Sequence, residues 1–194
     1  MIEVAIFTVV VASPSGPSVV VLAEKGALSG ALSGVDTSAE AGADTTDIVT
    51  DLVAPQLLPI WIGHSEAQAI MLLLDSQPHP RPLTHDLLAT VIGELGSTVD
   101  HIVIDKLAGS TFFATVCLVK DGEKIFLDAR PSDSIALALR SGAHIFIDED
   151  VMNAAGRQFS IKVSDGGELL YGSDTEMERF HAFIESVSPE DFSV

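Results

Sequence analysis

The stretch VDHIVIDKLAGSTFFATVCLVKDGEKIFLDARPSDSIALALRSGAHIFI, residues 99–147, decides the fold. Val99 to Lys106, Thr111 to Lys120 and Lys124 to Ala129 are rich in β-branched and aromatic residues and read as three strands. Asp121-Gly122 between the last two signals a tight hairpin, because a type I′ turn needs positive φ at both central residues. Pro131 then presets a helical φ, with Ser132 or Asp133 expected to supply the cap oxygen. Ile135, Ala138 and Leu139 form the buried side of that helix and Ser141-Gly142 ends it. His144 to Ile147 is a further strand, and Asp148 begins a short helix.

Toward the N-terminus, Thr84 is placed to cap a helix whose stripe Leu87, Leu88, Val91, Ile92 and Leu95 is spaced to cover one face, with Gly96 ending it. Before the proline-rich link Pro78 to Pro82, Ser65 is placed to cap a helix with Ala67, Ile70, Met71 and Leu74 on one face, and Leu57 to Ile62 is a short strand. Ile2 to Val11 and Ser18 to Ala23 make an opening β-hairpin around Pro14-Ser15-Gly16-Pro17. From Gly26 to Pro55 the chain turns to Ala, Gly, Ser, Thr and Asp, with too few large apolar side chains to offset the entropy of ordering. It reads as an acidic loop, with a short helix over Thr46 to Val53 as the alternative. Beyond the centre, Phe159 to Val163 reads as one more strand, and Asp174 to Val187 as an acidic helix with Met177, Phe180, Phe183, Ile184 and Val187 on one side.

Strands and helices in this order predict an α+β fold: a mixed or antiparallel sheet with helices packed on it, in a single compact domain. The domain is expected over 1–150, with 26–55 as an acidic low-complexity insertion and 151–194 as an acidic C-terminal extension ending in a helix. The single cysteine, Cys117, cannot form an internal disulfide and fits a reducing compartment, so a cytoplasmic location is expected. The apolar N-terminus has no basic lead-in and carries Glu3, so it reads as a strand, and no apolar run is long enough to span a membrane.

The formal net charge is −18, from 28 acidic and 10 basic side chains. Residues 55–147 hold ten acids and six bases, a charge of −4, so most of the excess lies outside the centre. Lysine and arginine form no cluster, which argues against tight non-specific nucleic-acid binding.

Three motifs stand out: Leu58-Pro59-Ile60-Trp61-Ile62-Gly63 followed by Glu66-Ala67-Gln68-Ala69-Ile70; Arg81-Pro82-Leu83-Thr84-His85-Asp86-Leu87-Leu88; and Arg130-Pro131-Ser132-Asp133-Ser134-Ile135-Ala136-Leu137-Ala138. In order and spacing they resemble the signature of the bifunctional nuclease domain family, described as cleaving both DNA and RNA. The resemblance covers about ninety residues and returns in Ser188-Pro189-Glu190-Asp191-Phe192, whereas the Gly26 to Pro55 insertion is longer than the family's usual connection. It implies a nuclease, but the motifs do not spell a known nuclease active site and so assign no catalytic residue.

Phosphodiester hydrolysis needs a positioned water, neutralisation of phosphate charge and, usually, a metal held by carboxylates or histidine. Glu66, His85, Asp86, Asp105 and Asp133 offer groups for metal or base work. His85, Asp86, Asp133 and Glu66 are taken as the catalytic set, and Arg81, Arg130 and Arg140 as the phosphate clamps. A divalent metal, magnesium or manganese, is the expected cofactor, although no motif specifies one. Each residue also has a structural reading. Asp86 and Asp133 suit helix starts through capping and the macrodipole. Arg81 and Arg130, each before a proline, suit ion pairs with Asp86 or Asp133, and Glu66 would need a partner, arginine or metal. His85 is the strongest candidate for proton transfer near neutrality. His85 and Asp86 are adjacent and point about 100° apart, so only one easily faces a given site. Asp133 and Arg140, seven apart, line one face without pairing directly. Absent HExxH, Walker, GxSxG and cysteine metal motifs, other common enzyme classes lose support. The competing function is a non-catalytic oligomeric protein that binds a small anionic ligand or a protein partner. Nucleic acid stays a possible partner, no membrane is expected, and a homo-oligomer is.

Overall fold

The computed structural model describes residues 1–11, 18–26, 56–75, 80–158, 161–163 and 169–171. An α+β architecture is built on an eight-stranded mixed sheet in the order β6-β5-β4-β7-β1-β2-β3-β8. The opening hairpin, β1 (Ile2–Val10) and β2 (Ser18–Glu24), pairs antiparallel and continues into β3 (Gln56–Ile62). Two helices follow, α1 (His64–Leu74) and α2 (Thr84–Glu94). Then comes the meander β4 (Ser97–Ala108), β5 (Thr111–Lys120) and β6 (Glu123–Ala129). Helix α3 (Pro131–Ser141) returns the chain to β7 (His144–Ile147), which lies parallel to β4 and antiparallel to β1. That crossover joins the two halves of the sheet. Helix α4 (Glu149–Ala155) leads to β8 (Arg157–Gln158) on the β3 edge, and β9 (Ile161–Val163) pairs separately with β10 (Leu169–Tyr171).

One face of the sheet carries the main core, and all four described helices contribute to it: Ala67 and Ile70 of α1, Ile92 of α2, Ile135 to Ala138 of α3, and Val151 and Met152 of α4 meet Leu22, Leu58, Ile102, Ile104 and Ile147. Helix α3 is buried nearly all round because α1 and α2 flank it over the sheet. Val19, Val21, Ala23 and Leu57 form a smaller cluster on the other face. The Asp121-Gly122 turn has φ of 51° and 84°, the positive pair expected of it. Gly142 ends α3 in the left-handed conformation, φ 68°.

Four local expectations are corrected. Helix α1 begins at His64 with Gly63 as its extended N-cap, so Ser65 caps nothing. Leu83, not Thr84, is the N-cap of α2, and the capping oxygen comes from Asp86, which accepts the Leu83 N–H at 2.7 Å. No side chain caps α3: the Asp133 carboxylate turns to Arg130 and His85 instead. Lastly, the α2 stripe does not cover one buried face. Ile92 is buried and Ala89 packs on the core, while Leu87, Leu88, Val91 and Leu95 are exposed, because α2 meets α3 along the line of His85, Ala89 and Ile92. The insertion over 27–55, its alternative helix at Thr46 to Val53 and the helix at Asp174 to Val187 lie outside the described residues, and β9 covers the last three positions of the Phe159 to Val163 strand. Among the described residues no helix is long and apolar enough to cross a membrane.

Candidate functional site

The three motifs meet where α1, α2 and α3 pack side by side. Glu66 comes from the first turn of α1, His85 and Asp86 from the first turn of α2, and Arg130 and Asp133 from the start of α3. Glu66 folds back over Gly63, and a Cβ built at Gly63 would collide with its carboxylate. Glycine at 63 therefore lets Glu66 point along the helix start.

Arg130 ties the group together. Its Nε donates to Asp133 Oδ2 at 2.7 Å, and its Nη2 donates to Asp133 Oδ1 at 3.1 Å and to Glu66 Oε1 at 3.0 Å. Asp133 Oδ1 also meets His85 Nε2 at 3.1 Å. An ionised carboxylate only accepts, so His85 is the donor in this contact, from Nε2. Burial alone would raise the Asp133 carboxyl, but the Arg130 and His85 hydrogen bonds outweigh it and hold the group below its ordinary value. Arg130 is raised in turn, chiefly by its hydrogen bond to Asp133. The His85 side chain is 12% exposed and that of Arg130 is 64% exposed, so the imidazole is fixed while the guanidinium head lies open to solvent.

A second assembly lies further along α3. Arg140, with a side chain only 5% exposed, donates from Nε to Asp86, from Nη1 to the Ala136 carbonyl at 2.9 Å and from Nη2 to the Ala69 carbonyl at 3.2 Å. It clamps α1, α2 and α3 through one planar head. Asp86 and Arg140 line a hollow of about 310 Å³ with Leu72, Leu73, Pro80, Pro82, Thr90 and the exposed Arg81.

His85 and Asp86 thus address opposite ends of α3, as their divergence on the helix requires. Asp133 and Arg140 share α3 and each pairs elsewhere. Arg130 pairs with Asp133 and Glu66, while the partner of Asp86 is Arg140, a pairing that motif order did not suggest. Asp105 lies apart, at a bulge in β4, where it accepts from Thr115 at 2.5 Å on the face away from the helices. The carbonyls of Ala69 and Ala136 carry no sequence signal as partners, because every residue has one.

Three other ligand-type atoms lie within 4.8 Å of one another, on Asp100, His101 and Cys117. A bulge between Val99 and His101 puts Asp100 beside His101, whose Nδ1 meets its carboxylate at 2.8 Å. This group sits on the face away from the described helices, with Cys117 fully buried and the Lys124 ammonium 3.4 Å from Asp100. It is separate from the motif site.

The model of the bifunctional nuclease domain matches residues 48–160, more than half of the chain. The chain belongs to the bifunctional nuclease domain family. Two uncharacterised proteins of Mycobacterium tuberculosis, from strains CDC 1551 and H37Rv, are each 42% identical to it over 135 residues, covering 70% of this chain and 80% of theirs. The side chains Glu66, Arg81, His85, Asp86, Arg130, Asp133 and Arg140 all fall inside the matched bifunctional nuclease domain, and the family name points to a nucleic-acid-related function.

Proposed function

We propose that this protein hydrolyses phosphodiester bonds in DNA, RNA or both, with His85 as the proton-transfer group. What supports the reading is the hydrogen-bonded chain Glu66–Arg130–Asp133–His85, which joins all three motifs at one place. Asp133 orients the imidazole and stabilises its protonated form, leaving Nδ1 to take a proton from water attacking phosphorus. Arg130, with an exposed fork, is the group best placed to swing from its carboxylates to a phosphate, and Arg81 and Arg140 would meet phosphates bound in the adjoining hollow. Asp86 holds Arg140 for that task.

Glu66 Oε1 and Asp133 Oδ1 both lean on Arg130 Nη2, an arrangement of oxygens that suits magnesium or manganese once the guanidinium has moved to substrate. The metal would supply charge neutralisation at the phosphate. The residues of the chain supply orientation and the proton acceptor.

The test is incubation of the purified chain with single- and double-stranded DNA and RNA in magnesium or manganese, with and without EDTA. Cleavage that EDTA abolishes is expected. Absence of cleavage under every condition would overturn the reading in favour of a binding protein, which is favoured by the lack of a basic patch and by the hollow with Arg81 and Arg140 on its wall.

A further inference from the structure

Strands β4 and β5 bring three metal-ligating side chains together on the sheet face away from the described helices. His101 and Cys117 are direct partners across the two strands, where Cβ atoms stand about 4.5–5.5 Å apart. The bulge between Val99 and His101 adds Asp100, so two successive side chains reach the same spot. One ligand atom from each of the three lies within 4.8 Å of the other two. The His101 ring is steadied by Phe146, whose ring meets it edge-on with centroids 5.6 Å apart. Cys117 is fully buried, and its sulfur makes a long, weak contact with the Leu118 carbonyl at 4.0 Å.

We propose that Asp100, His101 and Cys117 hold one zinc ion, with water in the fourth position. Zinc binds sulfur at about 2.3 Å and nitrogen or oxygen at about 2.0–2.2 Å, so tetrahedral ligand atoms stand roughly 3.3–3.6 Å apart. The three atoms already lie at that scale. The 2.8 Å contact of His101 Nδ1 with Asp100 Oδ2 opens by about 0.5 Å when coordination replaces it. The donor set selects the ion, because thiolate with imidazole suits zinc, whereas magnesium and manganese prefer all-oxygen sites. Binding releases the thiol proton to solvent, so the buried sulfur becomes a thiolate only when the metal is there to offset its charge. The thiolate and the Asp100 carboxylate together match the two charges of the ion. The side chains of Asp100 and His101, 43% and 19% exposed, give the ion a way in and leave room for the water. Lys124 competes for Asp100 at 3.4 Å, but that pair is exposed and yields at little cost. The site lies across the sheet from His85 and Arg130, so its occupancy does not depend on the proposed cleavage site.

The experiment takes the full chain, stripped of metal by a chelator and kept reduced. It is titrated with zinc against a chromophoric chelator, and with cobalt(II) as a spectroscopic stand-in for zinc. One equivalent of zinc per chain is expected, and cobalt should give a thiolate-to-metal charge-transfer band in the near ultraviolet. Zinc at about 100 times its Kd should raise Tm by roughly 5–10 °C. Cys117→Ser should abolish the charge-transfer band. His101→Ala and Asp100→Asn, at partly exposed positions where the fold has less to lose than at Cys117, should each weaken zinc binding by about tenfold or more. His85→Ala should bind zinc as wild type does, which separates this site from the one at the helix starts. No zinc binding by wild type would overturn the proposal, as would a cobalt complex without the charge-transfer band or a zinc affinity unchanged in both His101→Ala and Asp100→Asn.

Discussion

Replacing Arg140 by methionine keeps the aliphatic stem and removes the guanidinium that joins the three helices. The loss has two parts. One is the charge-assisted bond to Asp86, worth about 1.5–3 kcal/mol when buried. The other is the pair of bonds to the Ala136 and Ala69 carbonyls, each worth roughly 1 kcal/mol net. Breaking a fully buried pair costs about 3–5 kcal/mol, mostly by stranding the remaining charge. The Asp86 side chain is 31% exposed and keeps the Leu83 N–H, so its stranding is milder. Unfolding stability should therefore fall by about 2–4 kcal/mol, or roughly 4–16 °C in Tm for a chain of this size. Arg140→Lys should recover part of the loss, since one ammonium cannot reach three acceptors with a fork's geometry. Urea denaturation of Arg140→Met, Asp86→Asn and the double variant measures the coupling directly. A loss below about 1 kcal/mol for Arg140→Met, the level of an exposed pair, would refute the clamp.

Acid titration gives a second check: the folded Asp133 carboxyl lies below its ordinary value, so its stabilisation is present above about pH 4 and is lost as pH falls through the lower folded value. Asp133→Asn should be less stable than wild type at neutral pH and converge with it in acid, which equilibrium unfolding against pH reads; parallel curves would contradict the assignment. Replacing residues 27–55 by a short glycine-serine link should leave Tm within a few degrees, because β2 and β3 are antiparallel neighbours whose Ala23 and Leu57 already pair. Insoluble protein from that variant would show the segment to be structural.

The fold was legible where local chemistry is decisive. Asp121-Gly122, Pro131 and Gly142 each demand one backbone geometry, and the elements between them follow. Helix α2 was misread because periodicity reveals an apolar stripe but not how wide a neighbour covers it; α3 takes the His85–Ala89–Ile92 line and leaves four large side chains exposed. The caps were misread because oxygens that could cap also serve tertiary partners, and Asp133 has two of these in Arg130 and His85. The same uncertainty governed the site. Motif order suggested Glu66, His85, Asp86 and Asp133 as one set, yet only the packing of α1, α2 and α3 reveals that Arg130 bridges Glu66 and Asp133 and that Asp86 stands apart from them, paired with Arg140 rather than Arg81 or Arg130. Apart from Arg130 with Asp133, three residues apart, the contacts span 48 to 71 residues of chain, beyond any local rule.

The central claim is that His85, held by Asp133, moves the proton in phosphodiester cleavage. The most direct measurement is the cleavage rate of His85→Ala beside wild type, at equal concentration and with Tm recorded for both. A rate lowered by at least about tenfold, within the reach of a lost general base, with the fold intact is the predicted result. Cleavage by His85→Ala at the wild-type rate would contradict it.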